Sequence, residues 1–303
     1  MSSLRIDVQD LASWLGVQGS SPSGLGRDSG PGAGSSEGAG HTHQGEKGSS
    51  KPLVIDCRGE SDYAKGHVPG AVNLPAGRLQ DPLSERGALL PWPELAQRLA
   101  RVGIGAEGPV VLYDDSGLVP SARLFWILEC FGRGQVQLLD GGIPGWQSAG
   151  FELESRENPG TAVPPLAVPV AVPHALALKS HIEEALEDPN TVIVDARSEA
   201  EYRGVLPTAK RNGHIPGAVH CNWEEHIRDL FDPTFRPLEE LRERYRGLGL
   251  SPENQVIVYC RSGARSSHSY LTLRMLGYTR VRNYAGSWLE WGNDPHTPVE
   301  SDV

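Results

Sequence analysis

Short apolar runs alternate with longer helical patterns along most of the chain, and this alternation predicts the fold class. The runs "LVID", "VVLY" and "VQLL" lie in the first half, and "VIVDA", "VIVY" and "VRNY" lie in the second. Helical patterns such as "SARLFWILECFG" and "SSHSYLTLRMLG" separate them. Continuous β-branched strands separated by helices are typical of a parallel sheet covered on both faces. We therefore predict an α/β fold in which parallel sheets are flanked by helices.

The pattern occurs twice. "GHVPGAVNL" at 66–74 returns as "GHIPGAVHC" at 213–221, and "VVLYDDSG" at 110–117 returns as "VIVYCRSG" at 256–263. "VIDCR" returns as "VIVDAR", and "LLDGGIPGW" returns more loosely as "NYAGSWLEW". Four blocks in the same order at a nearly constant offset indicate two copies of one domain.

The copies set the predicted domain boundaries. We predict an N-terminal domain over 1–152, a proline-rich linker over 153–175 and a C-terminal domain over 176–303. The prolines of the linker disfavour helix and favour a semi-stiff, extended connector. Segment 16–51 is rich in Gly and Ser and has almost no apolar residues. It therefore buries too little surface to offset its ordering entropy, and we predict a disordered insertion in the first copy.

Composition and charge exclude several function classes. The net charge of −10 and the pI near 5.5 argue against a general nucleic-acid-binding surface. No apolar run approaches the roughly 18 residues that a bilayer crossing needs. The start, "MSSLRIDVQDLASW", lacks the apolar segment of a secretory signal. We predict a cytoplasmic protein that binds neither nucleic acid nor membrane.

Four cysteines are the candidate reactive groups: Cys57, Cys130, Cys221 and Cys260. They form no CxxC pair, and their spacing indicates neither a zinc site nor a disulfide framework. We predict no metal and no other cofactor. The usual interpretation of such cysteines is a buried, unreactive thiol, so any catalytic role has to come from local context.

Cys260 has that context, because it ends an apolar strand and opens the loop "CRSGAR" before a helix. Backbone N–H groups and the positive end of the helix dipole face such a thiol. Arg261 and Arg265 add positive charge, and all these effects favour the thiolate. Gly263 allows the loop to close tightly. The pattern predicts a nucleophile that also holds an anion.

The first copy serves as an internal control for this loop. At the matching positions it carries Asp114, Asp115, Ser116 and Gly117, so it keeps the scaffold but has no thiol. We predict that the first domain is catalytically degenerate and forms a wall of the cleft.

The motifs "DCR" and "DAR", "GHVPGA" and "GHIPGA", "CRSGAR" and "GSWLEW" together resemble the tandem rhodanese-type sulfurtransferases, the thiosulfate and 3-mercaptopyruvate sulfurtransferase family. The resemblance covers both halves of the chain apart from the insertion and the linker. It implies two tandem rhodanese-like domains with a catalytic Cys260 in the second. It also implies that Cys260 takes a sulfane sulfur from a small-molecule donor, forms a persulfide, and passes the sulfur to cyanide or a thiol.

The resemblance points to two donors. Thiosulfate-preferring members carry cations in the loop, which Arg261 and Arg265 match, whereas Ser262 matches the 3-mercaptopyruvate branch. Arg203 and Arg211 match arginines that grip the mercaptopyruvate carboxylate in that branch, although they also fit exposed loop arginines. We expect thiosulfate to be preferred, with 3-mercaptopyruvate as the second choice. The predicted substrate-binding residues are Arg261, Ser262, Gly263, Ala264, Arg265, Arg203 and Arg211.

Other residues have weaker claims to a catalytic role. His67 and His214 lie in GHxPGA, where Gly and Pro favour a tight turn, so a scaffold role is favoured over a cleft-facing His67. Asp195 is expected to anchor the loop after its strand, and Trp288 is expected in the core or lining the pocket. Ala285 stands where the family usually has an acid, which leaves that carboxylate's role unfilled here.

Two rival functions also use Cys260. Phosphatases of this fold enclose five residues between their cysteine and arginine, whereas Cys260 and Arg265 enclose four, a shorter loop that suits sulfur better. The other rival is a sulfur carrier or redox-sensing module that acts on a protein partner. Because the tandem arrangement places both domains in one chain, we expect a monomer.

Overall fold

The computed structural model of the chain describes residues 3–18, 50–84 and 88–303. These residues form two five-stranded sheets in which every strand pair is parallel. The strands are β1 (Arg5–Ile6), β2 (Leu53–Asp56), β3 (Val72–Asn73), β4 (Val110–Tyr113), β5 (Val136–Leu139), β6 (Leu176–Ala177), β7 (Thr191–Asp195), β8 (Val219–His220), β9 (Gln255–Tyr259) and β10 (Val281–Tyr284). The orders β1-β5-β4-β2-β3 and β6-β10-β9-β7-β8 are the same topology used twice. The predicted α/β tandem fold is confirmed.

Helices connect the strands in both repeats. They are α1 (Val8–Leu15), α2 (Glu60–Lys65), α3 (Trp92–Arg101), α4 (Val119–Cys130), α5 (Gly142–Ser148), α6 (Lys179–Ala185), α7 (Glu199–Tyr202), α8 (Leu238–Gly247), α9 (Arg265–Met275) and α10 (Ser287–Trp291). Short 3-10 helices span Ala76–Leu79 and Trp223–His226. None of the helices in the described ranges has the length and apolar character that a bilayer crossing requires.

Burial on both faces explains why the strands are continuously apolar. Along β2, Val54 packs in one hydrophobic cluster and Ile55 packs in another. Along β4, Val111 and Leu112 divide in the same way. Successive side chains of a strand point to opposite faces, so each sheet face has its own core.

The repeats meet through α4 and α9. Both helices are buried along most of their length, and a single hydrophobic cluster includes Phe125 and Leu128 of α4 together with Leu271 of α9. Hydrogen bonds between polar side chains also join the two helices across this apolar interface. Glu129 accepts hydrogen bonds from Arg274 Nε at 3.1 Å and from the Tyr270 hydroxyl.

The segment over the predicted linker 153–175 contains no helix and no named strand. It runs along the first repeat, where the Val163 N–H donates to the Ala100 carbonyl at 3.0 Å. Along the chain, the strands of one sheet precede this segment, within 1–152, and those of the other sheet follow it, within 176–303. Most of the predicted insertion 16–51, namely residues 19–49, lies outside the described residues.

The Glu129 contact predicts a loss of stability when it is removed. Glu129→Gln leaves the partly buried Arg274 without its carboxylate, so the free energy of unfolding should fall by about 1–3 kcal/mol. Urea denaturation of the full chain measures the change. As a matched control, Glu94→Gln removes an ion pair with Arg98 that is more exposed and should change stability by less than about 0.5 kcal/mol. Equal losses in the two variants would contradict a stabilising role of the interface pair.

Candidate active site

The Cys260 loop lies between the carboxyl end of β9 and the first turn of α9. Gly263 has φ +79°, a conformation that L side chains rarely adopt. A Cβ atom at Gly263 would also lie 3.0 Å from the carbonyl oxygen of Ala285. The loop is therefore folded tightly against the segment that follows β10, and only glycine fits at this position without strain.

That segment, which carries "GSWLEW", holds the loop by three hydrogen bonds. The Cys260 N–H donates to Ser287 Oγ at 3.2 Å, and the Trp288 N–H donates to the Cys260 carbonyl at 3.0 Å. The Leu289 N–H donates to the Arg261 carbonyl at 3.0 Å. The fully buried Trp288 ring packs against the Arg197 guanidinium, 4.5 Å from its centroid. Trp288 thus belongs to the core beneath the loop.

The Cys260 thiol is 1% exposed, yet its surroundings favour the thiolate. Burial alone would raise its pKa. The positive charge of Arg265, the Ser266 hydroxyl at 3.5 Å and the backbone N–H groups of Ser266 and Ser262 act in the opposite direction and outweigh burial. The pKa of Cys260 therefore lies below the ordinary value of a thiol.

The other three cysteines show the contrary behaviour. Burial raises the pKa of Cys57 and Cys130, and it raises that of Cys221 to about 11. Nearby carboxylates raise the pKa of Cys57 further. All four thiols are buried and free. Burial therefore does not distinguish Cys260 from the other three cysteines, and the groups around its sulfur account for its lowered pKa.

Arg265 is fixed by Glu201 of α7, a residue that sequence reasoning did not single out. Its Nη1 and Nη2 donate to the two carboxylate oxygens at 2.6 and 2.9 Å. Burial would raise the pKa of Glu201, but the hydrogen bonds and charge of Arg265 lower it to about 2. Arg261, by contrast, is exposed, and its side chain makes no hydrogen bond or ion pair with the described part of the chain.

Apolar side chains from both repeats surround the thiol. Cys260 clusters with Ala196, Trp223 and Ile227 of the second repeat and with Val119 of α4. Gly117 brings the first repeat close, since a Cβ there would lie 2.7 Å from the Trp223 ring. Residues of the first repeat therefore contact the apolar side chains around the thiol, and their role as a wall of the cleft stays a prediction.

A second residue of the first repeat reaches the loop itself. Nη1 of Arg123 in α4 donates to the Ser262 carbonyl at 3.1 Å. Sequence reasoning missed it, although a single arginine within the apolar run "SARLFWIL" was a signal. The pattern alone gave no indication of what that arginine would contact.

In the first repeat, the side chain of Asp114 occupies the matching loop. The Asp114 carboxylate accepts hydrogen bonds from the N–H groups of Ser116 at 2.8 Å, Leu118 at 3.0 Å and Ser121 at 2.9 Å. Ser116 and Ser121 match Ser262 and Ser266 of the second repeat, whose N–H groups bond to the Cys260 sulfur. The Asp114 side chain therefore occupies the place in the first repeat that matches the anion cradle of the second, and the catalytic degeneracy of the first repeat stays a prediction.

The remaining predicted arginines make contacts elsewhere. Arg203 is exposed and pairs with Glu199 at 2.8 Å. The Arg211 guanidinium donates to backbone carbonyls of 291–297, including that of Trp291 at 2.9 Å. Within the described residues, no side-chain hydrogen bond or ion pair joins Arg203 or Arg211 to loop 260–265. The side chains of Arg203 and Arg211 thus bond to groups outside the loop, and their place in the site stays a prediction.

The two GHxPGA histidines have matching surroundings. Nδ1 of His67 lies 3.0 Å from the Tyr63 carbonyl, and Nδ1 of His214 lies 2.8 Å from the Tyr202 carbonyl. Each ring also stacks on the same tyrosine. Contacts repeated in both copies are those of a turn scaffold.

Asp195 and Arg197 form a buried ion pair after β7, both 0% exposed. Asp195 accepts hydrogen bonds from the Arg197 backbone N–H at 2.9 Å and from its guanidinium at 2.6 Å. The pair anchors the chain after the strand, beneath the Cys260 loop.

Comparison with known proteins agrees with this geometry. The rhodanese-like domain family matches residues 41–149 and 179–294. The thiosulfate sulfurtransferase of Pseudomonas aeruginosa is 33% identical, covering 84% of this chain and 92% of its own. A probable 3-mercaptopyruvate sulfurtransferase of the same organism is 34% identical, covering 82% and 91%. The sulfur carrier protein TtuD of Thermus thermophilus is 35% identical, covering 78% and 86%.

A solved structure shows the same architecture. The anaerobic ergothioneine biosynthesis enzyme of Chlorobium limicola, in complex with trimethyl histidine, superposes with a TM-score of 0.78 at 28% identity. The match covers 85% of this chain and 66% of that enzyme, so the chain spans about two thirds of its length. Both repeats match one domain family, and the curated relatives align over most of their length. The chain therefore belongs to the rhodanese family, with two rhodanese-like domains in tandem.

Proposed function

We propose that the chain is a sulfurtransferase that carries a sulfane sulfur on Cys260 as a persulfide, with thiosulfate as its preferred donor. One observation carries the proposal: Cys260 is the cysteine whose pKa is lowered, in a loop whose N–H groups face the sulfur. The sulfurtransferase names of the aligned relatives support it.

In the first half-reaction the Cys260 thiolate attacks the outer sulfur of thiosulfate. A new S–S bond forms to Cys260, the S–S bond of thiosulfate breaks, and sulfite leaves with the bonding electron pair. The terminal sulfur of the persulfide is an anion, and we expect the loop N–H groups, among them those of Ser262 and Ser266 that bond to the Cys260 sulfur, to stabilise it. A group that favours the thiolate in the free protein also favours this product.

In the second half-reaction an acceptor attacks the terminal sulfur. With cyanide a C–S bond forms, the Cys260 S–S bond breaks, thiocyanate leaves and the thiolate returns. The donor and the acceptor supply all the electrons for the bonds that form and break, so neither step needs an external oxidant or reductant. The side chains and backbone of the loop are sufficient for both steps. The apolar wall formed by Trp223, Ile227 and Val119 limits water around the persulfide.

The distribution of cations supports thiosulfate over 3-mercaptopyruvate. Arg261 is exposed beside the thiol, which suits contact with a donor dianion. Arg203 and Arg211, the predicted carboxylate-binding residues, have their guanidinium groups engaged by Glu199 and by backbone carbonyls. Their role in binding 3-mercaptopyruvate stays a prediction with less support than that of Arg261.

Loss of the thiol should abolish turnover. For Cys260→Ser, we expect thiocyanate production from cyanide to fall by at least about 10³-fold with either donor, because a serine hydroxyl cannot form the persulfide. Cys130→Ala removes another buried thiol and should keep kcat/KM within about threefold of wild type. If the wild-type protein produces no thiocyanate with either donor, the enzyme assignment is refuted.

The pH dependence of alkylation tests the thiolate directly. The rate of Cys260 modification by iodoacetamide should rise with pH and level off with an apparent pKa below about 8.5, since only the thiolate reacts. The other three cysteines should react slowly at neutral pH because burial raises their pKa values. Mass spectrometry of the digested protein assigns each site. A Cys260 profile centred at or above about 8.5 would contradict the electrostatic account.

The donor assignment predicts a selective defect at Arg261. We expect Arg261→Ala to raise KM for thiosulfate by about 5- to 20-fold with a smaller effect for 3-mercaptopyruvate, because the dianion loses a charged contact. Arg280→Ala removes an exposed arginine distant from the loop in sequence and should leave both KM values unchanged. A uniform change for both donors would show that Arg261 does not discriminate between them.

A sulfur carrier acting on a protein partner is the second candidate. One observation favours it: TtuD, at 35% identity, is named a sulfur carrier protein. The two functions share the Cys260 persulfide and differ in the acceptor. A persulfidated chain that is stable to cyanide but loses its sulfur to a protein thiol would favour the carrier.

A further inference from the structure

A buried cation from the first repeat lies against the Cys260 loop. Arg123 is 3% exposed, and it stands in α4 between residues that are themselves almost completely buried. Burying a guanidinium among apolar helices is unfavourable unless it gains compensating partners. Its position in the interface therefore needs an account beyond packing.

The contact of Arg123 is with the backbone that shapes the anion cradle. Nη1 donates to the Ser262 carbonyl oxygen at 3.1 Å, joining residues 139 positions apart. The C=O and N–H of a trans peptide point in opposite directions. Holding the Ser262 carbonyl toward α4 therefore fixes the Gly263 N–H on the other side of the same peptide plane. The first repeat thus restrains the loop of the second at its middle.

Arg123 and Cys260 also interact through charge. Burial lowers the pKa of Arg123, and the negative charge of the Cys260 thiolate raises it. Such an interaction is mutual, so the Arg123 guanidinium favours the anionic sulfur in addition to the larger effect of Arg265. A persulfide keeps a negative charge in the same cleft, so the effect persists after the first half-reaction.

Four other charged residues lie around the loop. They are Arg265 of α9, Glu201 of α7, and Asp195 and Arg197 after β7. Glu201 accepts two hydrogen bonds from Arg265, and Asp195 pairs with Arg197. Arg261 is exposed, where solvent screens its charge. Arg265 has the largest effect of these on the sulfur. Arg123 adds a buried cation from the opposite repeat, held at the Ser262 carbonyl.

We propose that Arg123, supplied by the degenerate repeat, is a positioning residue of the Cys260 site that holds the sulfur-binding loop in shape and stabilises the anionic sulfur. This rests on the proposed function, in which Cys260 carries the transferred sulfur. It gives the first repeat a direct part in the site and not only a place in its wall.

The test compares Arg123→Met with Arg123→Lys in two assays on the full chain. One is the pH dependence of Cys260 alkylation, and the other is thiocyanate production from thiosulfate and cyanide. We expect Arg123→Met to move the alkylation midpoint upward by about one pH unit and to lower kcat/KM by about 10- to 50-fold. Arg123→Lys keeps the charge and should restore the midpoint to within about 0.3 unit, while leaving kcat reduced because it cannot reproduce the guanidinium geometry.

Glu129→Gln is the matched control, because Glu129 lies on the same helix in the same interface but contacts Arg274 and Tyr270 instead of the loop. It should leave the alkylation midpoint unchanged even where it lowers stability. If Arg123→Met fails to fold, Arg123→Gln decides by the same midpoint, since it keeps a donor but no charge.

A neutral Arg123 variant that folds and keeps both the wild-type midpoint and kcat/KM would overturn the proposal. The same shift in the Glu129→Gln control would also overturn it, since the effect would then belong to the interface in general. The alkylation assay needs no turnover. A wild type inactive with both donors would therefore refute the proposed function, while the midpoint would still report on Arg123.

Discussion

A negative charge on a sulfur that is 1% exposed is the constraint on which the rest of the site depends. Burial opposes that charge, so the fold has to supply compensating dipoles and cations within a few ångströms. The strand-to-helix loop supplies N–H groups, Ser266 supplies a hydroxyl, and Arg265 supplies a cation. Each of these has to be held in turn, which explains the bonds from Glu201 and from the "GSWLEW" segment. The groups that contact the sulfur are therefore themselves held in place by residues farther from it.

The two repeats hold different groups in the same cradle of loop N–H groups. In the first, the Asp114 carboxyl group occupies the cradle of N–H groups, and its hydrogen bonds oppose the burial that raises its pKa. In the second, the cradle surrounds the Cys260 thiol, which we propose carries the transferred sulfur. A filled loop is a stable structural element, and its neighbour Gly117 packs against the Trp223 wall of the reactive one. The two copies thus differ at the loop position, with Asp114 in one and Cys260 in the other, and α4 and α9 join them.

Local sequence was sufficient for the parts of the site that are contiguous. The loop "CRSGAR", its glycine and its place before a helix follow from residues adjacent in the chain, and the structure places them as the motif indicates. Partners from distant segments could not be inferred. Glu201 was overlooked because nothing in "SEAEY" shows that its carboxylate lies against Arg265. Arg203 and Arg211 were singled out by their match to a family pattern, yet their side chains bond to groups other than the loop.

The sequence by itself determined the fold class and the duplication, and it predicted the reactive cysteine and the inactive copy. These follow from strand and helix periodicity and from comparison of one repeat with the other, and both are properties of short segments. Only the tertiary structure decided which charges act on the sulfur. Arg123 reaches Ser262 because α4 packs on α9, and that packing depends on apolar surfaces of two domains whose relative placement no local pattern encodes. Electrostatic effects depend on distance in space, and here that distance is set by the interface between the repeats.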